Sequence, residues 1–358
     1  MADLYYRYGT GKSAELCITA YNYREQNGKV IIFNGNHNQP IVSAVTGKNG
    51  TLKTDITDFL NEKDNLFEKG QNYQNRNISA ILVDNAHLLP SNIVEQLYLI
   101  TKFYDIPVLA YGNRIESKGA LRFMELANRI EAVDGIPNET RKSQLHFYYG
   151  AMNCGKTTKL YCRAQFLERK GQTIQIIRSV EDREKNIIKS RSNLMRKVDL
   201  LVLKDDNLYE MLENLLKQKE VHHLLVDEAQ FLTPEQVTAL KKIQEEKNIP
   251  VSCYGLKTDF RSYTFPGSAR LLTVSDCLEK LRTVCSCKEK NGASFNARQV
   301  LNEHGVYQYT RSGEQICIDG VVHYTSLCDT CYLKDVLGYP IDNPKKVLKI
   351  LRKKDSIF

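Results

Sequence analysis

Gly150-Ala151-Met152-Asn153-Cys154-Gly155-Lys156-Thr157 is the stretch that decides the fold. Two glycines at this spacing, then lysine and a hydroxyl residue, let the backbone curl until successive N–H groups point at phosphate oxygens. Leu145-His146-Phe147-Tyr148-Tyr149 before it reads as a strand, and Thr158-Lys159-Leu160-Tyr161-Cys162-Arg163-Ala164 after it reads as a helix. An incidental glycine turn would not carry both flanks. Gly150, Met152, Asn153, Gly155 and Thr158 are therefore expected to line a nucleotide, with Lys156 reaching the β- and γ-phosphates and the Thr157 hydroxyl on Mg²⁺.

Further along, Leu224-Leu225-Val226-Asp227-Glu228 is an apolar run ending in two carboxylates. Neighbouring side chains at a strand end diverge, so the two can take different tasks. Asp227 is expected to hold the Mg²⁺ shell and Glu228 to accept the proton of an attacking hydroxyl. Still further, Cys285-Ser286-Cys287 and Cys328-Asp329-Thr330-Cys331 supply four thiolates for a closed, structural Zn²⁺ site. Cys17, Cys154, Cys162, Cys253, Cys277 and Cys317 are scattered and read as core or surface fillers; Cys154 is either oxidation-sensitive or inert.

The same landmarks occur twice. His87 through Tyr111-Gly112 lies on Gln230 through Tyr254-Gly255 without a gap, Ile81-Leu82-Val83-Asp84 lies on Leu224-Leu225-Val226-Asp227, and Gly11-Lys12-Ser13 lies on Gly155-Lys156-Thr157 at nearly the same offset. Three landmarks in register predict a tandem duplication. In each copy short apolar runs (Val30-Ile31-Ile32-Phe33; Ile174-Gln175-Ile176-Ile177) alternate with helical patterns, the signature of a parallel sheet flanked by helices.

A length of 358 residues suits two domains. No run is long and apolar enough for a membrane span, and Met1 to Arg7 lacks a signal-peptide layout, so a cytoplasmic protein is expected. In that compartment ten cysteines favour metal ligation over disulfides. Half of the net charge of +8 sits in the tail (Lys345, Lys346, Lys349, Arg352, Lys353 and Lys354 against Asp342 and Asp355), which reads as a solvated or loosely docked basic segment or, less simply, a polyanion site. So local a charge argues against a nucleic-acid partner.

Phosphate loop, Asp-Glu strand and cysteine pairs, in this order, resemble the type II thymidine kinases, which include the human cytosolic and many bacterial enzymes. The resemblance runs from Leu145 to about Asp335, and also rests on Asp227-Glu228-Ala229-Gln230-Phe231, Cys253-Tyr254-Gly255-Leu256-Lys257-Thr258-Asp259-Phe260-Arg261 and Gly313-Glu314-Gln315-Ile316 through Tyr324. It implies ATP-dependent phosphorylation of thymidine on its 5′-hydroxyl, with Glu228 as general base and Lys156 on the phosphates. It further implies a thymine pocket of Met152, Leu256, Phe260 and Phe265, otherwise plain core residues. Backbone groups of Gln315 to Gly320 (Gln315, Ile316, Ile318 and Gly320 among them) fall on the base edge, Tyr324 over the base, and Gln230 and Phe231 at the sugar end. Arg261 and Arg298 fall at anion or loop-ordering positions. Three departures stand out: Glu181-Asp182-Arg183 is one residue short of the family's Asp-x-Arg, leaving Asp182 and Arg183 as the nearest phosphate contacts; Ser190-Arg191-Ser192-Asn193 lacks a glycine; and Asp319 replaces one in the lid.

The first copy lacks a glycine five residues before Gly11, where Tyr6 stands, and carries Asn85 and His87 in place of Glu228 and Gln230. An amide cannot take the hydroxyl proton, so this copy is expected to be silent. The expected organisation is two tandem P-loop (RecA-like) α/β domains with a zinc-binding lid subdomain: a degenerate domain over 1–135, a linker over 136–144, the active domain over 145–275, the lid over 276–335 and a basic tail over 336–358. Because family members assemble from single kinase domains, the resemblance implies a homodimer with four P-loop domains. Two rival readings are a nucleic-acid-dependent P-loop ATPase, because Asp227-Glu228-Ala229-Gln230 also reads as a helicase-type box, and a catalytically inactive nucleotide sensor.

Overall fold

The computed structural model describes residues 1–36, 57–59, 65–133, 143–179, 187–189, 195–317, 322–352 and 357–358. Most of the expected linker, the Asp182 and Arg183 pair, Ser190 to Asn193, and Ile318, Asp319 and Gly320 lie outside the described residues. The chain divides into two compact units, Met1–Pro137 with Asp329–Phe358, and Asn138–Cys328.

In the first unit, β1 (Leu4–Gly9), α1 (Lys12–Glu25), β2 (Lys29–Asn34), β3 (Thr57–Phe59), α2 (Leu66–Asn75), β4 (Ile78–Asp84), α3 (Ser91–Phe103), β5 (Val108–Tyr111), α4 (Lys118–Leu126) and β6 (Arg129–Val133) follow one another. Its sheet has the order β3-β2-β4-β5-β1-β6, with every pairing parallel. Leu16 and Ala20 of α1 pack on Val30, Ile32, Ala80, Leu82 and Tyr111.

The second unit repeats the plan with β7 (Leu145–Gly150), α5 (Lys156–Arg169), β8 (Ile174–Ser179), a two-stranded ribbon of β9 (Ile187–Lys189) and β10 (Met195–Lys197), β11 (Leu200–Val202), α6 (Leu208–Gln218), β12 (His223–Asp227), α7 (Pro234–Lys247), β13 (Val251–Leu256), α8 (Pro266–Val274) and β14 (Cys277–Lys280). Its sheet order, β11-β8-β12-β13-β7-β14, is that of the first unit strand for strand, again all parallel. Leu160, Ala164, Ile176, Leu225 and Tyr254 build the matching core. β12 is buried along its whole length, as a central parallel strand covered on both faces must be. Cys277 to Lys280, counted with the lid by sequence, extends the parallel sheet beside β7.

Local signals set the helix starts. α5 begins after Gly155 and α1 after Gly11, both left-handed at φ 76° and 79°, a conformation glycine adopts without strain. α7 begins with a capping box, Thr233 with Gln236, and Pro234 in its first turn. Beyond β14, β15 (Phe295–Leu301) lies between β16 (Tyr307–Thr310) and β17 (Val322–Leu327) in an antiparallel three-stranded sheet.

The last segment holds a short helix α9 (Asp329–Cys331), a π-helical turn at Tyr332–Val336 and α10 (Pro344–Leu351). Of the two forms expected for the tail, solvated or docked, the described residues show the docked one. Val347 is fully buried and Phe358 is 4% exposed, its ring against Tyr98 and under the Arg122 guanidinium. Among the described cations, Lys345, Lys346, Lys349 and Arg352 are exposed, while Val347 on the same helix turns inward.

Candidate active site

The phosphate loop leaves β7 at Gly150 and re-enters helix at Lys156. Asn153 and Gly155 both hold positive φ, which curls the loop. Lys156 Nζ donates to the Ala151 carbonyl at 3.0 Å, folded back over the loop.

Parallel pairing of β12 beside β8 and β13 brings Asp227 and Glu228 to the same sheet end as the loop. Asp227 is 2% exposed. Burial, and then the neighbouring Glu228 charge, push its carboxyl well above the usual carboxylate range, against the pull of Arg178 and Lys156. Burial of an anion on this scale makes Asp227 suited to a cation. Glu228 sits in the left-handed region at φ 50°, ψ 38°, and opens a 3₁₀ turn over Ala229–Phe231. Gln230 Nε2 donates to Glu228 Oε2 at 2.6 Å, and Gln230 Oε1 accepts from the Leu256 N–H at 3.0 Å. Gln230 therefore holds Glu228 from behind and does not itself line the cavity.

Glu228 opens onto an apolar cavity of about 220 Å³. Met152, Phe231, Leu256, Phe260, Phe265, Gln315, Ile316 and Tyr324 line it, each a position expected at the base or sugar. Phe231 and Phe265 meet edge to face at 5.7 Å. Cys317, inside the Gln315-to-Gly320 segment expected at the base edge, also lines it, as do Arg178, Ser179, Asp259 and Asn296, which were not expected as pocket residues. Asp259 accepts from the Arg261 side chain at 3.1 Å and from Gln315 Nε2 at 3.1 Å, which explains why Gln315 is held on the wall. Arg298, 3% exposed, donates to the Tyr324 hydroxyl and to the Glu314 carbonyl, and lies 3.7 Å over the Phe260 ring. Arg298 thus ties Tyr324 to the Glu314 carbonyl, while the Arg261 side chain pairs with Asp259.

The thiols of Cys285, Cys287, Cys328 and Cys331 lie within 4.8 Å of one another, a metal-capable cluster of four sulfur donors. Tetrahedral Zn²⁺ with Zn–S bonds of about 2.3 Å needs sulfurs somewhat under 4 Å apart, so this donor set fits zinc.

The corresponding corner of the first unit differs in chemistry. By register with β5, Gly9 ends β1 where Gly150 ends β7, so the opening glycine is present but only Thr10 and Gly11 separate it from Lys12. Lys12 Nζ donates to the Gly9 carbonyl at 2.6 Å, and Ser13 Oγ lies 3.4 Å from both Asp84 oxygens. Asn85 takes the place of Glu228 with nearly the same backbone, φ 50° and ψ 35°.

A sequence model described as "TK: Thymidine kinase" matches residues 5–136 and 143–332. The chain belongs to the thymidine kinase family. The thymidine kinase of Mannheimia succiniciproducens is 40% identical over 188 residues, covering 52% of this chain and 93% of that protein. That of Vibrio vulnificus is 37% identical over 197 residues, 55% of this chain and 99% of the relative, and that of Coxiella burnetii 40% over 189 residues, 52% and 93%. Nearly a whole thymidine kinase is thus accounted for by about half of this chain. No helix among the described residues is long and apolar enough to cross a membrane.

Proposed function

We propose that this chain transfers the γ-phosphoryl of ATP to the 5′-hydroxyl of thymidine, and that the second unit does the chemistry. One observation carries the reading: Glu228 opens onto an apolar cavity whose wall is shared with Met152 of the phosphate loop. A nucleoside in the cavity has its hydroxyl between the base and the donor phosphates.

In this reading Gln230 fixes one oxygen of Glu228 and the carboxylate accepts the 5′-hydroxyl proton as the oxygen attacks phosphorus. Lys156 and the loop's N–H groups from Asn153 to Thr158 balance charge on the phosphates. Thr157 and Asp227 would hold Mg²⁺, which neutralises phosphate charge when bound. Asp182 and Arg183 complete the donor side, and Ile318 and Gly320 the base edge. Met152, Phe231, Leu256, Phe260, Phe265, Ile316 and Tyr324 exclude water and select thymine, with Gln315 supplying polar contact. Cys285, Cys287, Cys328 and Cys331 would hold a structural Zn²⁺.

The first unit is a degenerate copy produced by tandem duplication. Equal strand order and matching core positions support the duplication. Its short loop and Asn85 remove phosphate ligands and base together. Two chains would assemble four P-loop units in the cytoplasm.

Transfer of labelled γ-phosphate from Mg·ATP to each of the four common deoxynucleosides tests the proposal. Selective conversion of thymidine is expected; conversion of none, by folded protein, would refute it.

A further inference from the structure

Met152 belongs to two places at once. Its backbone is part of the phosphate loop, while its side chain lines the nucleoside cavity. Both of its backbone polar groups are taken by side chains from the antiparallel sheet. The Met152 N–H donates to Asn296 Oδ1 at 2.7 Å, and its carbonyl accepts from Ser326 Oγ at 2.6 Å. Asn296 Nδ2 donates onward to the Thr258 carbonyl at 2.7 Å. A backbone N–H only donates and a carbonyl only accepts, so these partners fix which way the Asn296 amide points.

Asn296 and Ser326 stand directly opposite one another on β15 and β17, and are 3% and 6% exposed. Two residues along the same strands, Arg298 stands opposite Tyr324. A strand's period of two puts both rungs on one face. The Arg298 rung holds the Tyr324 hydroxyl at 2.7 Å and the Glu314 carbonyl at 2.6 Å. One ladder therefore grips the donor loop with one rung and the segment over the nucleoside with the next.

We propose that Asn296 and Ser326 are positioning residues that couple nucleoside binding to the geometry of the donor phosphate loop. The inference rests on the thymidine kinase reading of the cavity. Met152 cannot shift without stranding two buried hydrogen-bonding groups, so it moves with the ladder or not at all. A nucleoside that orders Tyr324 and Gln315 through Arg298 thereby orders the neighbouring rung and the loop it holds. Thermodynamic linkage makes the effect reciprocal: a nucleotide that settles the loop must raise the affinity for the nucleoside by the same factor.

A clamp serving only to stabilise the fold would not link the two ligands. Calorimetric titration of thymidine, with and without a saturating non-hydrolysable ATP analogue and Mg²⁺, separates these cases. The wild type is expected to bind thymidine on the order of 10-fold more tightly when the analogue is present. Ser326→Ala should bring that factor close to one, whatever its effect on the affinity for the analogue alone. Ser326→Thr, which keeps the hydroxyl, should restore it. A wild-type factor surviving in Ser326→Ala, even with a lowered melting temperature, would overturn the inference, as would a wild type that phosphorylates thymidine with no coupling. Failure of the wild type to bind or phosphorylate thymidine would instead overturn the kinase reading, and this inference with it.

Discussion

Glu228 holds a backbone conformation that suits its counterpart better. At φ 50° a β-carbon crowds the chain, and asparagine tolerates this region more readily than glutamate. Asn85 occupies it in the first unit with the same geometry. Glu228 also places a second carboxylate beside buried Asp227, raising the latter's pKa further. In the proposed reading, strain and like charge at one residue are what keeping it for chemistry costs. Glu228→Asn is expected to raise the unfolding free energy by about 1 kcal/mol, read by chemical denaturation, while abolishing phosphoryl transfer. Gly255 behind it is equally constrained. A β-carbon there would come 2.8 Å from Gln230 Oε1 and 3.0 Å from Gln230 N, displacing the residue that holds Glu228. Gly255→Ala should lower kcat by roughly 100-fold, the scale of a misplacement of about 1 Å, without loss of the cooperative unfolding transition; an unchanged kcat would contradict this role.

Among the elements, β12 combines the Asp227 end with a buried imidazole at its start. His223 is 4% exposed and its Nε2 lies 3.0 Å from Ser252 Oγ. Burial, with Arg163 and His146 nearby, lowers its pKa from 6.5 to about 4. Between those values the unfolded chain binds a proton that the folded chain refuses, so stability falls as pH drops from 6.5 to 4 and is intact above 6.5. The loss is up to about 3 kcal/mol, measurable by urea denaturation across that range, and His223→Gln should flatten it. Elements were legible where their chemistry is contiguous: the loop from Gly150 to Thr157, the run into Asp227, and the alternation that produced two parallel sheets. Asn296 and Ser326 were not legible. Each is an ordinary polar residue on an unremarked strand, and their meaning arises only from the pairing of β15 with β17. Asp259 escaped for the same reason, since its partners Arg261 and Gln315 are brought together by folding.

On the scale of the whole molecule, the end of the chain completes the first unit. Asp329 accepts a hydrogen bond from the buried Tyr98 hydroxyl at 2.7 Å, and Arg352 reaches Glu68 at 2.6 Å. Tyr339 donates to the Ile357 carbonyl at 2.8 Å, setting Phe358 against Tyr98. Beneath it Arg122 is paired with Glu95 and Glu125, both at 2.8 Å, and almost wholly out of water. Removing the ring would expose this pair of ion bridges. Phe358→Ala should destabilise the first unit by about 3 kcal/mol, seen as a shifted denaturation midpoint, with thymidine phosphorylation by the second unit retained under native conditions. Charge concealed this docking in the sequence, because six cations outweigh the few apolar side chains that make contact.

The account as a whole stands on Glu228. Its most direct test is single-turnover phosphate transfer from Mg·ATP to thymidine by the wild type and by Glu228→Gln, with thymidine binding measured on both. Transfer slowed by roughly 100- to 10,000-fold in the variant, with thymidine still bound, is the predicted result. Wild-type transfer rates in Glu228→Gln would contradict it.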